Sequence, residues 1–219
     1  LRFTLISMAS PGRDVKLSKD RVIGNRNFIT KIWSANNFLD LNNCKLRKKI
    51  NFKSIKLPLN QWIYNEFLET QTLATKHIEN FRFDEASRVI YQFVWHSYCD
   101  WYLEFLKPIF NSNDKSSINE AKNFSSYMMS NILKILHPFI PFFSETVWNK
   151  NKYNKFFNSP LIRAEWPNDK KFLFFKNNHK EINQIIEIIS NIRSTKSALN
   201  ITPKLFCDIS FPQNSKPLK

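Results

Sequence analysis

Residues 1–33 read LRFTLISMASPGRDVKLSKDRVIGNRNFITKIW, a stretch that predicts a helix, a break, an extended segment and a second helix. The apolar residues among positions 1–8 have helical spacing, and Pro11-Gly12 ends this first helix. Apolar and polar residues alternate over 15–18, as in a short strand or extended segment. Asp20 suits the N-cap of a helix that runs to about Leu41. Because the stretch begins within a helix and without methionine, we expect the chain to be a fragment of a longer protein, with further residues before it.

Four further helices are predicted downstream, and prolines mark several of their ends. Pro58 suits the entry of a helix over residues 59–78. Asp84 and Glu85 open the next helix, which Pro108 stops. A polar linker at 111–117 precedes a helix over residues 118–136, and Pro141 can occupy the first turn of another. The sequence therefore predicts a helical bundle.

The character of the sequence changes after residue 149. A polar loop is expected at 149–158, a short extended piece at 164–167, a helix over 180–198 with its isoleucines inward, and a final strand near Phe206, Ile209 and Phe211. The predicted fold class is mainly α, a helical bundle with a short segment before it and a small mixed α/β appendage after it. The predicted boundaries give three parts, 1–19, 20–150 and 151–219.

The composition favours a nucleic-acid partner. The net charge of +15 exceeds the magnitude of about 2 to 8 that keeps a small domain soluble. Lysine and arginine that neutralise phosphates release counterions and so gain affinity. An anionic membrane is the rival partner, but within these residues we find neither the pattern of a signal peptide nor an apolar run of about 20 residues. The three cysteines, Cys44, Cys99 and Cys207, form no CxxC pair, which fits a reducing cytoplasm.

The sequence offers no catalytic or metal site. The four histidines, His77, His96, His137 and His179, are scattered without an HExxH pattern, and we expect each to be a surface or packing residue. There is no GxSxG elbow, Walker loop or dinucleotide fingerprint. We therefore expect this chain to have no catalytic residue, no bound metal and no cofactor of its own.

Cations and aromatic residues interleave between residues 13 and 38, as in proteins that bind single-stranded RNA loops. Lys31 and Phe38 are seven residues apart, two helical turns, so one helix can present both. Phe28 and Trp33 are expected to be core, whereas Phe38 fits either a core or a surface role. A second basic run, over residues 45–56, is a candidate for phosphate contact or merely a solvated loop. The other candidate cations are Arg13, Lys16, Lys19, Arg21 and Arg26.

Four blocks, in order, resemble valyl-tRNA synthetases. They are LRFTL, SPGRD and RNF within residues 1–28; VW at 94–95 with CDWYLE at 99–104; LHPFIPF at 136–142; and WP at 166–167 with Ile192, Arg193 and Pro203 downstream. The third block is shared with the related enzymes for leucine and isoleucine. The second block and the RD-to-RNF spacing favour valine.

The resemblance implies a stem-contact segment at 1–19, a helical anticodon-binding domain at 20–150 and a connector at 151–219 toward a C-terminal coiled coil. It implies an anticodon-facing helix in which Lys31, Phe38, Asn37 and Arg21 contact RNA, with weaker phosphate contacts from Arg13, Lys16, Lys19 and Arg26. Asn37 departs from the family, because relatives often have a basic residue there.

The resemblance also implies a full-length, cytoplasmic and monomeric ligase that charges valine tRNA using valine, ATP and magnesium. Its two ATP-binding signatures and its editing domain would lie before Leu1, so this chain should be inactive alone. Two alternatives remain at this stage. One is the equivalent domain of an isoleucyl- or leucyl-tRNA synthetase, and the other is a non-catalytic helical interaction protein whose charge is only compositional.

Overall fold

The computed structural model of the chain describes residues 1–10, 12, 14–15, 17–167, 176–202 and 205–206. These residues form α-helices, two short 3₁₀-helices, a π-helical segment and no β-strand, which confirms the mainly α fold class. The α-helices are α1 (Arg2–Met8), α2 (Lys19–Leu41), α3 (Pro58–Glu79), α4 (Phe83–Gln92), α5 (Leu103–Phe110), α6 (Lys115–Leu136), α7 (Pro141–Lys150), α8 (Tyr153–Phe156) and α9 (Lys176–Ala198). The 3₁₀-helices are Phe52–Ser54 and Leu161–Arg163, and the π-helical segment is Phe93–Tyr102.

Local chemistry accounts for most helix starts. Pro58 and Pro141 occupy the first turns of α3 and α7, as predicted, because a proline there lacks only an N–H that has no partner within the helix. The predicted N-cap of α2 was wrong. Ser18 is the cap, since its Oγ accepts a hydrogen bond from the Arg21 N–H at 3.4 Å. Asp20 instead lies in the first turn, where its charge favours the helix N-terminus.

Helices α4 and α5 and the π-helical segment between them form one continuous helix over residues 83–110. The prediction that Pro108 stops this helix was wrong, because Pro108 lies inside α5, which ends at Phe110. A proline inside a helix removes the hydrogen bond to the carbonyl four residues earlier. Pro108 and Glu104 are both exposed, so water can bond the carbonyl that the proline leaves without a partner.

The core is built around α3, which packs against α4, the π-helical segment, α6 and α9. Helix α1 packs on α2 and α4, and α7 packs on α6 and α8. Large aromatic side chains fill the interior. The most deeply buried are Trp62, Trp148, Tyr64, Tyr98, Tyr102, Phe28, Phe67 and Phe124. This core holds α2 at the edge of the bundle, where one of its faces meets solvent.

The C-terminal part is more helical than predicted. The region 149–158, expected to be a polar loop, contains α8. This short helix is anchored by Tyr153, which is buried and whose hydroxyl donates to the Ser126 carbonyl at 2.8 Å. Helix α9 docks on α3, where Trp62 Nε1 donates to Asn183 Oδ1 at 2.9 Å. Its isoleucines are less buried than expected, since Ile185 is 40% exposed. The predicted final strand falls almost entirely outside the described residues, and the boundaries near 19 and 150 stay predictions.

Candidate nucleic-acid interface

The candidate RNA-binding residues of α2 lie on two different faces. The spacing of Lys31 and Phe38 separates them by only about 20° around the helix axis. Trp33 lies about 160° from Lys31, and the same seven-residue spacing places Arg26 on the side of Trp33. Phe28, which is fully buried, is on the intervening side that faces the core. The predicted set therefore does not form one continuous surface.

The positive charge of Lys31 is already paired. Its Nζ forms an ion pair with the Asp100 carboxylate and lies 4.0 Å from the centroid of the Trp95 ring. Asp100 also lies 3.3 Å from Nδ1 of His96. These partners all come from the π-helical segment that packs against α2. An RNA phosphate that binds Lys31 must therefore displace the Asp100 carboxylate.

Phe38 lies near the end of α2 and is half-buried. Its ring centroid is 6.1 Å from that of Phe110, at the end of α5. The Phe38 carbonyl accepts a hydrogen bond from Asn42 Nδ2 at 2.8 Å, which fixes the last turn of the helix. The exposed part of the ring is accessible to a base, while the buried part holds the side chain in place.

Asn37 belongs to a polar cluster on the Trp33 side of α2. Its Oδ1 accepts a hydrogen bond from Lys150 Nζ at 2.9 Å. The same Nζ pairs with Asp40 at 3.1 Å and lies 4.5 Å from the centroid of the Trp33 ring. Lys150 thus places a cation at the position where Asn37 lacks one. Sequence reasoning missed Lys150, because it follows Asn37 by 113 positions.

Trp33 is not a core residue, contrary to expectation. Its side chain is 37% exposed, whereas Phe28 is fully buried as predicted. The ring meets Phe143 of α7 at a centroid distance of 6.4 Å and an interplanar angle of 60°. With Lys150 beside it, Trp33 presents an amphipathic aromatic surface between α2 and α7.

Arg21 lies apart from the other candidates. It lines a cavity of about 430 Å³ between α1, α2 and α4, together with Ser10 and Asp84. Arg82 donates two hydrogen bonds of 3.0 Å to the Asp84 carboxylate, which lowers the pKa of Asp84 to about 2. Arg21 has no ion-pair partner in the described part of the chain. At 1.5 Å per residue it is about 25 Å from Phe38 along the helix, too far to contact the same nucleotide.

The weaker candidates remain untested predictions. Lys19 and Arg26 are exposed, and Arg26 Nη2 donates to Asn27 Oδ1 at 3.4 Å. Arg13 and Lys16 lie outside the described residues. The roles of all eight candidate side chains in binding RNA stay predictions.

His137 and His179 each contact a polar side chain of a neighbouring helix or turn. His137 Nδ1 is 2.8 Å from Ser144 Oγ, and burial lowers the pKa of His137. His179 Nε2 lies 2.8 Å from the Glu66 carboxylate and joins α9 to α3. Within the described ranges, no group of three or more histidine, cysteine or acidic side chains is placed to hold a metal ion. No described helix combines the length and the apolarity needed to cross a membrane.

Comparison with known proteins places this geometry in a family context. The chain is similar to the valine–tRNA ligase of Pelagibacter ubique (strain HTCC1062), with 46% identity over 217 residues, which are 99% of this chain and 24% of the relative. It is 40% identical over 206 residues to the valine–tRNA ligase of Rhizobium meliloti (strain 1021), covering 93% of this chain and 21% of the relative. The enzyme of the same name from Caulobacter vibrioides is 37% identical over 204 residues, 93% of this chain and 22% of the relative.

The chain thus spans about a quarter of the length of these curated relatives. They are named for valine rather than for isoleucine or leucine, which agrees with the block at residues 99–104. A family model described as the anticodon-binding domain of tRNA ligase matches residues 60–210, from the first turn of α3 onward. Since that match covers well over half of the 219 residues, the chain belongs to the family of anticodon-binding domains of tRNA ligases.

Proposed function

We propose that this chain binds the anticodon arm of valine tRNA as part of a longer valine–tRNA ligase. The observation that carries the proposal is the 46% identity to such a ligase, which extends over 99% of the chain and so includes α2. In this proposal Phe38 stacks on an anticodon base, and Lys31 exchanges Asp100 for a phosphate. The charge of +15 supplies the attraction to RNA.

Filter binding tests this assignment with valine tRNA and with tRNAs that are altered at each anticodon base. We expect the native anticodon to bind more tightly than the altered ones, with affinity that falls steeply as salt increases. Equal affinity for every anticodon would overturn the proposal.

Phe38→Ala tests the stacking contact directly. Loss of a stacked base should weaken binding by about 1 to 3 kcal/mol. Phe38→Leu keeps most of the packing against Phe110 and should also lose the stacking, which separates binding from stability. Phe81→Ala is the matched control, because Phe81 is 78% exposed and pairs with Phe83 at a centroid distance of 6.4 Å. Equal losses in Phe38→Ala and Phe81→Ala would contradict the stacking role.

Catalysis and its cofactors are assigned to the rest of the longer ligase. We assign to this chain no catalytic residue, metal or ATP site, and propose that valine, ATP and magnesium act elsewhere in the cytoplasmic enzyme. The 219-residue chain should give no valine-dependent exchange of pyrophosphate into ATP, and measurable exchange would refute this division. Light scattering after size exclusion should give a monomer of 26.1 kDa.

A further inference from the structure

The segment between α2 and α3 carries six exposed basic side chains beside the N-terminal half of α6. Asn43 reverses the chain after α2 in a left-handed conformation, with φ of 55°. Two cavities of about 340 and 480 Å³ lie between the segment and α6, and they share Lys48, Asn119 and Asn123. Together they form one open groove, called here the basic groove. The six side chains are Lys45, Arg47, Lys48, Lys49, Lys53 and Lys56.

Two side chains of α6 hold the backbone of this segment in place. Asn123 Oδ1 accepts a hydrogen bond from the Arg47 N–H at 2.9 Å, and its Nδ2 donates to the Lys48 carbonyl at 3.3 Å. Glu120 accepts hydrogen bonds from the Lys56 N–H at 3.0 Å and from two further N–H groups. The segment is therefore ordered through its backbone, and these bonds leave its charged side chains unused.

The groove is strongly positive. Five of the six basic side chains line it, all except Lys53, and Lys122 of α6 adds a sixth cation to its lining. In the part of the chain that the structure describes, neither these six side chains nor Lys53 forms an ion pair. The carboxylate of Glu120 is occupied by the backbone of the segment, and that of Asp114 accepts hydrogen bonds from two N–H groups at the start of α6. A polyanion would supply the negative charge that the groove lacks.

The basic groove begins close to Phe38, near the C-terminal end of α2. The Phe38 ring packs against Phe110, and Lys122 Nζ lies 5.9 Å from the centroid of the Phe110 ring. Lys122 also lines the groove. A chain of side chains thus leads from the candidate stacking residue to the cations, so one RNA strand can meet both without leaving the surface.

We propose that the basic groove binds the sugar–phosphate backbone of the tRNA next to the bases that α2 contacts. This inference rests on the proposed function. The lysines and Arg47 neutralise successive phosphates, and the amides of Asn43 and Asn119 can bond ribose hydroxyls. The cations are spread along an open groove instead of converging on one point, which suits an extended backbone better than a single small anion. The groove adds affinity without selecting a base.

The test replaces three groove cations together, Lys45→Gln, Lys48→Gln and Lys122→Gln, in the 219-residue chain. The matched control replaces Lys76, Lys155 and Lys180 by glutamine, since these are exposed lysines without ion pairs elsewhere on the described surface. Affinity for valine tRNA is measured at several salt concentrations, and circular dichroism verifies that both variants remain folded.

We expect the groove variant to reduce the slope of log affinity against log salt by about 2, at about 0.7 for each single-strand phosphate contact. That change corresponds to about a hundredfold loss of affinity at 0.1 M salt. The loss should be the same for valine tRNA and for anticodon variants. The control variant should lose much less.

The possible outcomes distinguish the groove proposal from the proposed recognition of the anticodon. If the wild type prefers the native anticodon but the groove variant matches the control, the groove proposal is overturned alone. If the wild type binds all tRNAs equally and the groove variant still weakens binding, the groove stands and the proposed anticodon recognition fails. Absence of tRNA binding overturns both. Vesicles of phosphatidylcholine and phosphatidylserine test the membrane alternative: loss of vesicle binding without loss of tRNA binding would also refute the groove.

Discussion

Asp100→Asn is expected to strengthen the binding of tRNA. In the free chain the Asp100 carboxylate pairs with Lys31, which also lies over the Trp95 ring. When Lys31 binds a phosphate, it has to give up this ion pair. Asparagine removes the competing negative charge while nearly preserving the size of the side chain. Lys31 then meets the RNA without first losing a partner.

The solvent exposure of Lys31 and Asp100 determines how much tRNA affinity Asp100→Asn should gain. Lys31 and Asp100 are 27% and 38% exposed, so solvent weakens their attraction. Ion pairs exposed to this degree contribute about 0.2 to 1 kcal/mol. Removal of this cost corresponds to a gain in affinity of up to about fivefold. The salt dependence should also steepen, because the carboxylate released in the wild type takes up a counterion that the variant does not need.

The assay is fluorescence anisotropy with labelled valine tRNA at about pH 8. Glu104→Gln is the matched control. It raises the net charge by the same amount, lies one helical turn from Asp100, and frees Lys107 instead of Lys31. The difference between the two variants therefore isolates the Lys31 contact from the general gain in positive charge.

Two results would refute the reasoning. One is a gain in Asp100→Asn no larger than the gain in Glu104→Gln. The other is a gain that persists when Lys31 is also replaced by glutamine. In that background Asp100 no longer pairs with Lys31, so its replacement cannot free a cation for the RNA. Either result would mean that Lys31 keeps Asp100 as its partner in the complex and serves to pack α2 on the π-helical segment.

Three further predictions concern stability and reactivity. Glu120→Ala should lower the free energy of unfolding by about 2 kcal/mol or more, since three N–H groups lose a charged acceptor; urea unfolding measures this, and a loss no larger than that of Asn119→Ala would contradict it. Because the pKa of Asp84 falls from 3.8 to about 2 on folding, its contribution to stability is present above about pH 4 and is lost as the pH falls toward 2. Asp84→Asn should therefore flatten the acid side of the stability curve, and parallel curves would count against it. Burial raises the pKa of the Cys44 thiol to about 11, so thiol reagents at about pH 8 should modify Cys44 only after unfolding, as timed labelling with and without urea can show.

The helices of this chain could be predicted because their ends carry local signals. Pro58 and Pro141 fix the starts of α3 and α7, and apolar spacing identifies the faces between their ends. Pro108 misled the prediction, because the cost of a proline depends on whether its freed carbonyl reaches water. The π-helical segment, which packs against α2 and α3, was not predicted from the sequence.

The candidate site was harder to predict than the fold. Spacing correctly placed Lys31 and Phe38 on one face of α2, but it does not show what faces them from another helix. Asp100 neutralises Lys31 from 69 positions away, and Lys150 reaches Asn37 from 113 positions away. Such long-range partners depend on how the helices pack. The basic run at 45–56 was visible as charge, whereas the bonds to α6 that order it were not.

The π-helical segment Phe93–Tyr102 has a consequence for how the length of this protein can change during evolution. A π turn accommodates more residues than an α turn, so deletion of one codon there would allow an ordinary α-helix to form. The later residues would keep nearly their present orientation, because the residue removed is the extra one that the π turn accommodates. The same deletion within α4 would rotate every later residue of the helix by about 100° and would turn Leu106, now fully buried, out of the core. We expect natural variants to lose a residue within Phe93–Tyr102 more readily than within α4, while the turn at 111–113 also varies in length.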